Sequence, residues 1–259
     1  MTHIARLIKG RSPLLVSLPH DGVALPPELV PRLTPAARAV PDTDWHMARL
    51  YAFARRLGAS ILIPLHSRYL IDLNRSREDA NLYPGKNTTG LCPTHRFDGG
   101  PVYLPGEEPS ADEVGERIER YWQPYHDALR DELERKRALH GRALLWEGHS
   151  IRSELPWLFD GRLPDLNLGT ADGKSCSAYV ETCVSRVAAS QSDYSWVLNG
   201  RFKGGYITRH YGRPAEGVEA IQMELAQCLY MDEDSTAWQL DRAERLQALL
   251  LAMLRAMID

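Results

Sequence analysis

Apolar residues recur along the chain with two different periods, and each period predicts one kind of element. Short apolar runs bounded by turn residues predict strands, whereas apolar residues three and four positions apart predict amphipathic helices. The predicted strands cover residues 14–18, 60–65, 69–73, 142–146, 194–198 and 219–225, and the predicted helices cover 43–57, 112–140, 178–189 and 236–257. Because strands and helices alternate, we expect an α/β fold with a mixed, mostly parallel sheet flanked by helices.

Three long segments, residues 81–109, 151–175 and 199–217, show neither period. Loops of this length in a compact domain are usually functional or disordered. Pro124 is expected to kink or split the helix that contains it, because proline lacks the N–H that a helix interior needs. The chain shows no internal repeat and no linker, so we expect a single domain over residues 1–259.

The charge and cysteine content argue against several classes of protein. The chain has 259 residues and a net charge of −3, so no overall positive field favours nucleic acid or a membrane surface. The first residues hold no signal-peptide core, and no apolar run approaches the ~20 residues of a membrane span. The four cysteines form no CxxC pair, and we expect reduced thiols in a cytoplasmic protein. The oligomeric state is left open.

Two predicted strands lead to a histidine. His20 follows the first strand in Ser17-Leu18-Pro19-His20-Asp21-Gly22, and His149 follows the strand 142–146. Ligands of open α/β sheets bind at the carboxyl ends of the strands, so these two side chains could meet in one cleft and hold a metal ion. Taken singly, a histidine at a strand end is more often a hydrogen-bonded structural residue.

A third metal ligand could come from the segment before the first long helix. Asp44 could supply the oxygen, and Asp42 competes with it for that role. Two histidines and one carboxylate leave an open position on a catalytic zinc ion, where water is activated. The alternative role for Asp44 is that of a helix cap.

Cationic side chains gather in two places. Arg68, Asn74 and Arg75 flank an apolar run, and arginine is suited to bidentate binding of a carboxylate. The loop 199–213 holds four Lys and Arg residues among glycines, which favours an anionic small molecule. The alternatives are surface arginines paired with nearby acids in the first place, and a phosphate-binding or solvated loop in the second.

Two glutamates lie in predicted strands. Glu224 interrupts an apolar alternation, which is unfavourable unless the carboxylate has a partner. A partly buried glutamate near a metal ion is suited to act as a general base or acid, and the alternative is a salt bridge at a strand end. We expect Glu147, two residues before His149, to point to the opposite side of its strand and to have only a supporting or structural role.

Taken together, these segments resemble the N-formylglutamate amidohydrolases, also called N-formylglutamate deformylases, from about residue 13 to 234. The segments that carry the resemblance are 17–22, 42–46, 67–75, 82–85, 88–93, 146–152, 164–170, 199–209 and 222–224. The resemblance implies a fold similar to that of zinc carboxypeptidases and aspartoacylases. It also implies the hydrolysis of N-formyl-L-glutamate to formate and L-glutamate, the last step of histidine degradation.

The resemblance assigns roles to individual residues. It implies His20, Asp44 and His149 on Zn²⁺ or another divalent transition metal, Asn74 and Arg75 on a substrate carboxylate, Arg68 on the oxyanion, and Glu224 as general base. Because the substrate has two carboxylates, we expect Arg209 or Arg213 to bind the second one. The chain departs from carboxypeptidase-type relatives in one respect: Val23 stands where their H-x-x-E motif has its glutamate. The carboxylate ligand must therefore come from elsewhere, and Asp44 is preferred to Asp42.

Other functions remain compatible with the sequence. One is the removal of a different acyl group, acetyl or succinyl, from an acidic amino acid, and another is carboxypeptidase action on small peptides. A further alternative is a protein that binds anionic metabolites and has no catalytic activity.

Overall fold

A seven-stranded sheet forms the centre of the computed structural model, which describes residues 4–81 and 85–259. The strands are β1 (Ala5–Ile8), β2 (Leu14–Ser17), β3 (Ser60–Pro64), β4 (Ala143–Ile151), β5 (Leu166–Gly169), β6 (Trp196–Leu198) and β7 (Val218–Ala226). They lie in the order β1-β3-β2-β4-β7-β5-β6. The pairs β1–β3 and β5–β7 are antiparallel and the other pairs are parallel. The prediction of a mixed, mostly parallel sheet is confirmed.

Helices cover both faces of this sheet. They are α1 (Pro35–Arg38), α2 (Met47–Leu50), α3 (Ala111–Arg117), α4 (Gln123–His140), α5 (Ala178–Ala189), α6 (Tyr206–Tyr211) and α7 (Leu240–Ile258). Short 3₁₀ segments occur at Val30–Arg32, Tyr51–Leu57, Pro214–Glu216 and Gln227–Leu229. In the part of the chain that the structure describes, no helix combines the length and the apolar character needed to cross a membrane.

Alternate residues of the central strands pack into two separate cores. Leu14 and Val16 of β2 contact the apolar side chains of α5 and α7, whereas Leu15 between them packs on the other face against α4. This division follows from the two-residue period of a strand. Because helices cover both faces, β2, β3 and β4 are buried along their whole length and are apolar on both sides, as expected for parallel strands.

Several predicted elements differ from the structure. Residues 69–73 form turns instead of a strand, and the predicted helix 43–57 is reduced to α2 and a 3₁₀ segment. The predicted helix 112–140 is interrupted at Ile118–Trp122 by a π-helical turn just before Pro124, so that the expected disturbance occurs before the proline. The strand β5 and the helix α6 lie in segments predicted to be irregular, and β1 lies where no element was predicted. The segment 82–85, which supports the family resemblance, falls mostly outside the described residues.

The helix α4 supports a short segment that carries polar residues at the sheet edge. His126 Nε2 donates to the carbonyl of Leu73 over 2.9 Å, and the Tyr211 hydroxyl lies 3.0 Å from His126 Nδ1. Since a carbonyl only accepts, Nε2 of this ring carries a proton. Trp122 Nε1 donates to the carbonyl of Arg75 over 2.9 Å. These bonds fix the backbone of residues 73–75.

The neutral His126 makes the stability of the fold depend on pH. Burial lowers the pKa of His126 from 6.5 to about 3, because the buried ring cannot be solvated when charged. Below pH 6.5 the unfolded chain binds a proton at this ring that the folded chain does not bind. Its contribution to stability is therefore complete above pH ~6.5 and is lost as the pH falls, by about 1.4 kcal/mol per pH unit.

We expect the stability advantage of the wild type over His126→Gln to become smaller between pH 7.5 and pH 5. Denaturant unfolding of both proteins at several pH values measures this difference, which should decrease by about 2 kcal/mol below pH 6.5. His140→Gln, at the exposed end of the same helix, is the matched control and should follow the wild type. A wild-type advantage that does not vary with pH would contradict this explanation.

Candidate active site

His20, Asp44 and His149 meet at the carboxyl end of the central strands. His20 lies in the turn after β2, His149 lies near the end of β4, and Asp44 precedes α2. Asp44 Oδ2 is 3.0 Å from His149 Nδ1 and 3.7 Å from His20 Nδ1. Each of the three residues offers one atom that can bind a metal, and these atoms lie within 4.8 Å of one another. All three side chains are buried. The structure thus brings together the three residues that the sequence proposed as metal ligands.

A network of turns positions Asp44. Its backbone N–H donates to the carbonyl of His20 over 3.0 Å, and Thr43 donates from both its N–H and its hydroxyl to the carbonyl of Val40. His46, at a φ of 63°, then redirects the chain into α2. The predicted helix cannot begin at residue 43 because these residues form turns that present Asp44 to the two histidines.

Asp42 has a different environment. Its Oδ2 accepts hydrogen bonds from the Tyr69 hydroxyl over 2.7 Å and from the N–H of Phe97 over 2.8 Å. Burial raises the pKa of Asp42, and these bonds oppose the rise. Asp42 therefore anchors two neighbouring segments and does not join the cluster formed by His20, Asp44 and His149.

Each histidine of the cluster also contacts a carboxylate through its Nε2 atom. His20 Nε2 lies 2.7 Å from Asp72 Oδ1, and His149 Nε2 lies 2.7 Å from Glu147 Oε1. A carboxylate only accepts, so each Nε2 atom donates to the carboxylate beside it. The Nδ1 atoms face Asp44, and His149 Nδ1 lies within hydrogen-bond distance of its Oδ2. Histidines that bind metals through one ring nitrogen usually donate from the other in this way.

The expectation that Glu147 points away from His149 is wrong. The two residues are two positions apart in β4, and side chains at that spacing share a face of a strand. The carboxylate of Glu147 is completely buried and also accepts a short hydrogen bond from the Thr208 hydroxyl. Glu147 therefore holds the ring of His149 in a fixed orientation.

Among the described residues around the three candidate metal ligands, carboxylates outnumber the cationic side chains. Asp44, Asp72, Glu147 and Glu224 are buried there, whereas the cationic side chains beside them are Arg68 and Arg75. Burial disfavours the charge of His149, but Glu147 and Asp44 hold its pKa well above the usual value. The two histidines likewise hold the pKa of Asp44 below its usual value in spite of burial. A divalent cation suits this excess of negative charge, and two nitrogens and one oxygen are donors that transition metals accept.

Glu224 lies beside His149 in the neighbouring strand. The two residues are direct partners in the parallel pair of β4 and β7, and both line the same pocket. Burial raises the pKa of Glu224 to about 8, and the carboxylates of Asp44 and Glu147 also raise it while His149 and Arg68 lower it. A carboxyl group with such a pKa can exchange a proton near neutral pH.

Arg68 forms one wall of the pocket. Its Nη2 donates to Asp72 Oδ2 over 2.6 Å, and its guanidinium carbon lies 4.6 Å from the centre of the Phe97 ring. The side chain is 7% exposed, and its Nε has no hydrogen-bond partner among the described residues. Such a buried N–H can donate to a ligand in the pocket.

Asn74 and Arg75 continue the same wall. The N–H of Asn74 donates to Asp72 Oδ1 over 2.8 Å, and its side-chain Oδ1 accepts from the N–H of Ile207 over 2.9 Å. Arg75 Nε donates to the carbonyl of Thr89 over 2.8 Å. The bond from Asn74 to Asp72 is typical of an Asx turn, which explains why an apolar run predicted to be a strand forms turns instead.

The structure does not bring Arg209 and Arg213 to this pocket. Arg209 Nε donates to the carbonyl of Gly204 over 2.8 Å, and Arg213 is half exposed and lies 3.7 Å from Glu216. Arg209 and Arg213 occupy these positions because of the helix α6 and the turn after it. The sequence did not predict either element. Arg201, earlier in the same segment, lines the pocket instead.

Sequence reasoning missed the contributions of Asp72 and Arg201, and it predicted a supporting role for Glu147 but the wrong orientation. Asp72 had a recognisable signal, because a carboxylate within Leu70-Ile71-Asp72-Leu73 is buried and needs partners. The signal for Glu147 was the two-residue period of a strand, which places it on the same face as His149. Arg201 had none, since nothing in the pattern distinguishes it from the other cations of its loop.

Comparison with known proteins identifies relatives over the whole chain. The family model described as N-formylglutamate amidohydrolase matches residues 12–231. The N-formylglutamate deformylases of Pseudomonas aeruginosa and Pseudomonas putida are 49% and 48% identical to this chain, over 100% of it and 97% of each relative. The crystal structure of N-formylglutamate amidohydrolase from Ralstonia eutropha JMP134 superposes with a TM-score of 0.83 at 27% identity, covering 98% of this chain and 97% of that one. The chain belongs to the N-formylglutamate amidohydrolase family.

Proposed function

We propose that this protein is a metal-dependent amidohydrolase that converts N-formyl-L-glutamate and water to formate and L-glutamate, as the last step of histidine degradation. The observation that carries the proposal is the buried meeting of His20, Asp44 and His149, with Glu224 beside them, in a pocket lined by arginines. The names of the two Pseudomonas relatives support the same substrate. The pocket is also lined by Arg68, Asn74 and Arg75, which suits an anionic metabolite.

The proposed metal is Zn²⁺, held by His20 Nδ1, His149 Nδ1 and a carboxylate oxygen of Asp44. Other divalent transition metals would suit the same donors. When bound, zinc supplies a Lewis acid that polarises the formyl carbonyl and lowers the pKa of water toward ~7. Asp72 and Glu147 accept from Nε2 of the two imidazole rings, which orients the rings and directs their Nδ1 atoms toward the metal position.

Glu224 is the proposed proton carrier. It accepts a proton from the attacking water as the water oxygen forms its bond to the formyl carbon. It then donates that proton to the amide nitrogen as the carbon–nitrogen bond breaks, so that the amine of L-glutamate leaves. A cation near His149 and Asp44 favours the ionised form of Glu224 and makes it a competent base near neutral pH.

The arginines of the pocket wall bind the anionic groups. Arg68 is positioned by Asp72 and Phe97 and donates to the oxyanion that develops on the formyl oxygen, where stabilisation lowers the barrier. Asn74 and Arg75 bind the α-carboxylate of the substrate. The backbone and Glu147 contacts described above keep these groups in place before the substrate arrives.

We also propose a cytoplasmic location. Cys92, Cys176, Cys183 and Cys228 carry free thiols. Proteins of oxidising compartments commonly pair their cysteines, whereas free thiols are usual in the cytoplasm.

The proposed reaction is tested by formate release from N-formyl-L-glutamate. We expect activity in the protein as purified, loss of activity after a chelator removes the metal, and recovery when Zn²⁺ is added back. N-acetyl- and N-succinyl-L-glutamate should be poor substrates, because a pocket for a formyl group should exclude larger acyl groups. Faster release of acetate or succinate than of formate would assign a different acyl group, and activity that resists complete metal removal would contradict the metal-dependent mechanism.

Glu224→Gln should lower kcat by about 10²-fold or more, since the amide keeps the size of the side chain but cannot carry the proton. Metal content, measured by elemental analysis, should equal that of the wild type. Glu116→Gln, on the exposed surface of α3, is the matched control and should keep full activity. Near-normal turnover by Glu224→Gln would rule out this assignment of the base.

Glu147→Gln should weaken metal binding about tenfold to a hundredfold, because a neutral amide orients the ring of His149 less strongly than a carboxylate does. Competition with a chromogenic chelator measures the dissociation constant, independently of activity. The Glu116→Gln variant again serves as control. Unchanged zinc affinity in Glu147→Gln would show that the contact between Glu147 and His149 does not support the metal.

A further inference from the structure

A third arginine, Arg201, lines the pocket and comes from the other end of the strand order than Arg68 and Arg75. Arg68 and Arg75 follow β3, which lies on one side of β2 and β4. Arg201 follows β6, the edge strand on the other side, beyond β7 and β5. All three arginines line the pocket that contains His20 and His149. Guanidinium groups therefore face the pocket from two sides.

The segment that carries Arg201 is fixed at both ends. At its beginning, the Asn199 side chain accepts a hydrogen bond from the N–H of Thr170 over 2.9 Å. At its end, the N–H of Gly205 donates to Gln222 Oε1 over 2.7 Å. A Cβ atom added to Gly205 would lie 2.3 Å from Asn74 Nδ2, so this close approach requires glycine. The loop thus packs directly against Asn74, the neighbour of Arg75 in sequence.

Contacts with two further loops orient the guanidinium of Arg201. Its Nη2 lies 3.4 Å from the carbonyl of Asn87 and 3.3 Å from the carbonyl of Leu158. Asn87 Nδ2 in turn donates to the carbonyl of Trp157 over 2.7 Å, which joins those two loops. Arg201 is therefore part of a structured wall of the pocket and is not a solvated surface residue.

We propose that Arg201 binds the side-chain carboxylate of the substrate and makes the site specific for an acidic N-acyl amino acid. This inference rests on the proposed function, in which Asn74 and Arg75 take the α-carboxylate and Arg68 serves the oxyanion. The second carboxylate then needs a cation on the remaining side of the pocket, where Arg201 lies. A guanidinium can bind that carboxylate through two parallel hydrogen bonds.

N-formyl-L-glutamate and N-formyl-L-glutamine test this assignment, since they have nearly the same shape and differ in the charge of the side chain. Arg201→Met should lower kcat/KM for N-formyl-L-glutamate roughly tenfold to 200-fold, as expected for a lost charge-assisted contact. The kcat/KM for N-formyl-L-glutamine should change less than about threefold. Arg75→Ala should lower kcat/KM for both substrates, because both carry the α-carboxylate.

Lys203→Met is the matched control, because it removes a positive charge from the same loop. Lys203 contacts Asp172 at 3.0 Å and does not line the pocket, so its loss should leave the preference for the acidic substrate unchanged. An equal loss on both substrates in Arg201→Met would indicate a structural role, and an unchanged kcat/KM for N-formyl-L-glutamate would assign the second carboxylate elsewhere. Either result overturns the proposal.

Direct binding separates this inference from the proposed reaction. Calorimetry with zinc-loaded protein compares L-glutamate with L-glutamine and does not depend on hydrolysis. A preference of the wild type for L-glutamate that Arg201→Met abolishes would support Arg201 even if no formate were released. A wild type that binds the two amino acids equally would overturn the proposal even if formate were released.

Discussion

Buried carboxylates that need positive partners are the constraint on which the site depends. Asp44, Asp72 and Glu147 have almost no access to solvent, so each must be paired with a cation or with several donors. Glu147 and Asp44 hold the pKa of His149 well above its usual value, so they favour a positive charge on this ring. A proton on His149 and a bound metal cation would each supply positive charge beside these carboxylates. The chemistry of the donors and the excess of acid thus lead to the same inference.

Asp72 links the two halves of this site. One of its oxygens accepts from His20 Nε2 and from the N–H of Asn74, and the other accepts from Arg68. Arg68, His20 and Arg75 overcome the effect of burial and keep the pKa of Asp72 well below its usual value. A single carboxylate therefore fixes a histidine of the cluster and the backbone turn that precedes Arg75. Loss of its charge would disturb the cluster and the arginine wall together.

The sequence predicted those features that depend on local pattern. Apolar runs located β2, β3 and β4, because buried parallel strands are apolar on both faces. An alternation of apolar and polar residues located β7, and these strands define the edge where His20, His149 and Glu224 lie. It did not predict the turn at residues 69–73, since Leu70-Ile71-Asp72-Leu73 has strand composition and only the contacts of Asp72 with distant residues decide its conformation. Local pattern also could not identify the arginine proposed to bind the second carboxylate of the substrate. Arg201, Arg209 and Arg213 are alike in sequence, and α6 decides which of them faces the pocket.

The pocket wall and the metal cluster are connected through buried polar contacts. The hydroxyl of Thr208 in α6 donates to Glu147, which holds His149, and the N–H of Ile207 in the same helix donates to Asn74. Neighbouring residues of one short helix therefore support a candidate metal ligand and a candidate substrate ligand. The loop that carries Arg201 leads directly into this helix through Gly205. Because these contacts are buried, they position Asn74 and the imidazole of His149 together, next to the loop that carries Arg201, before any ligand binds.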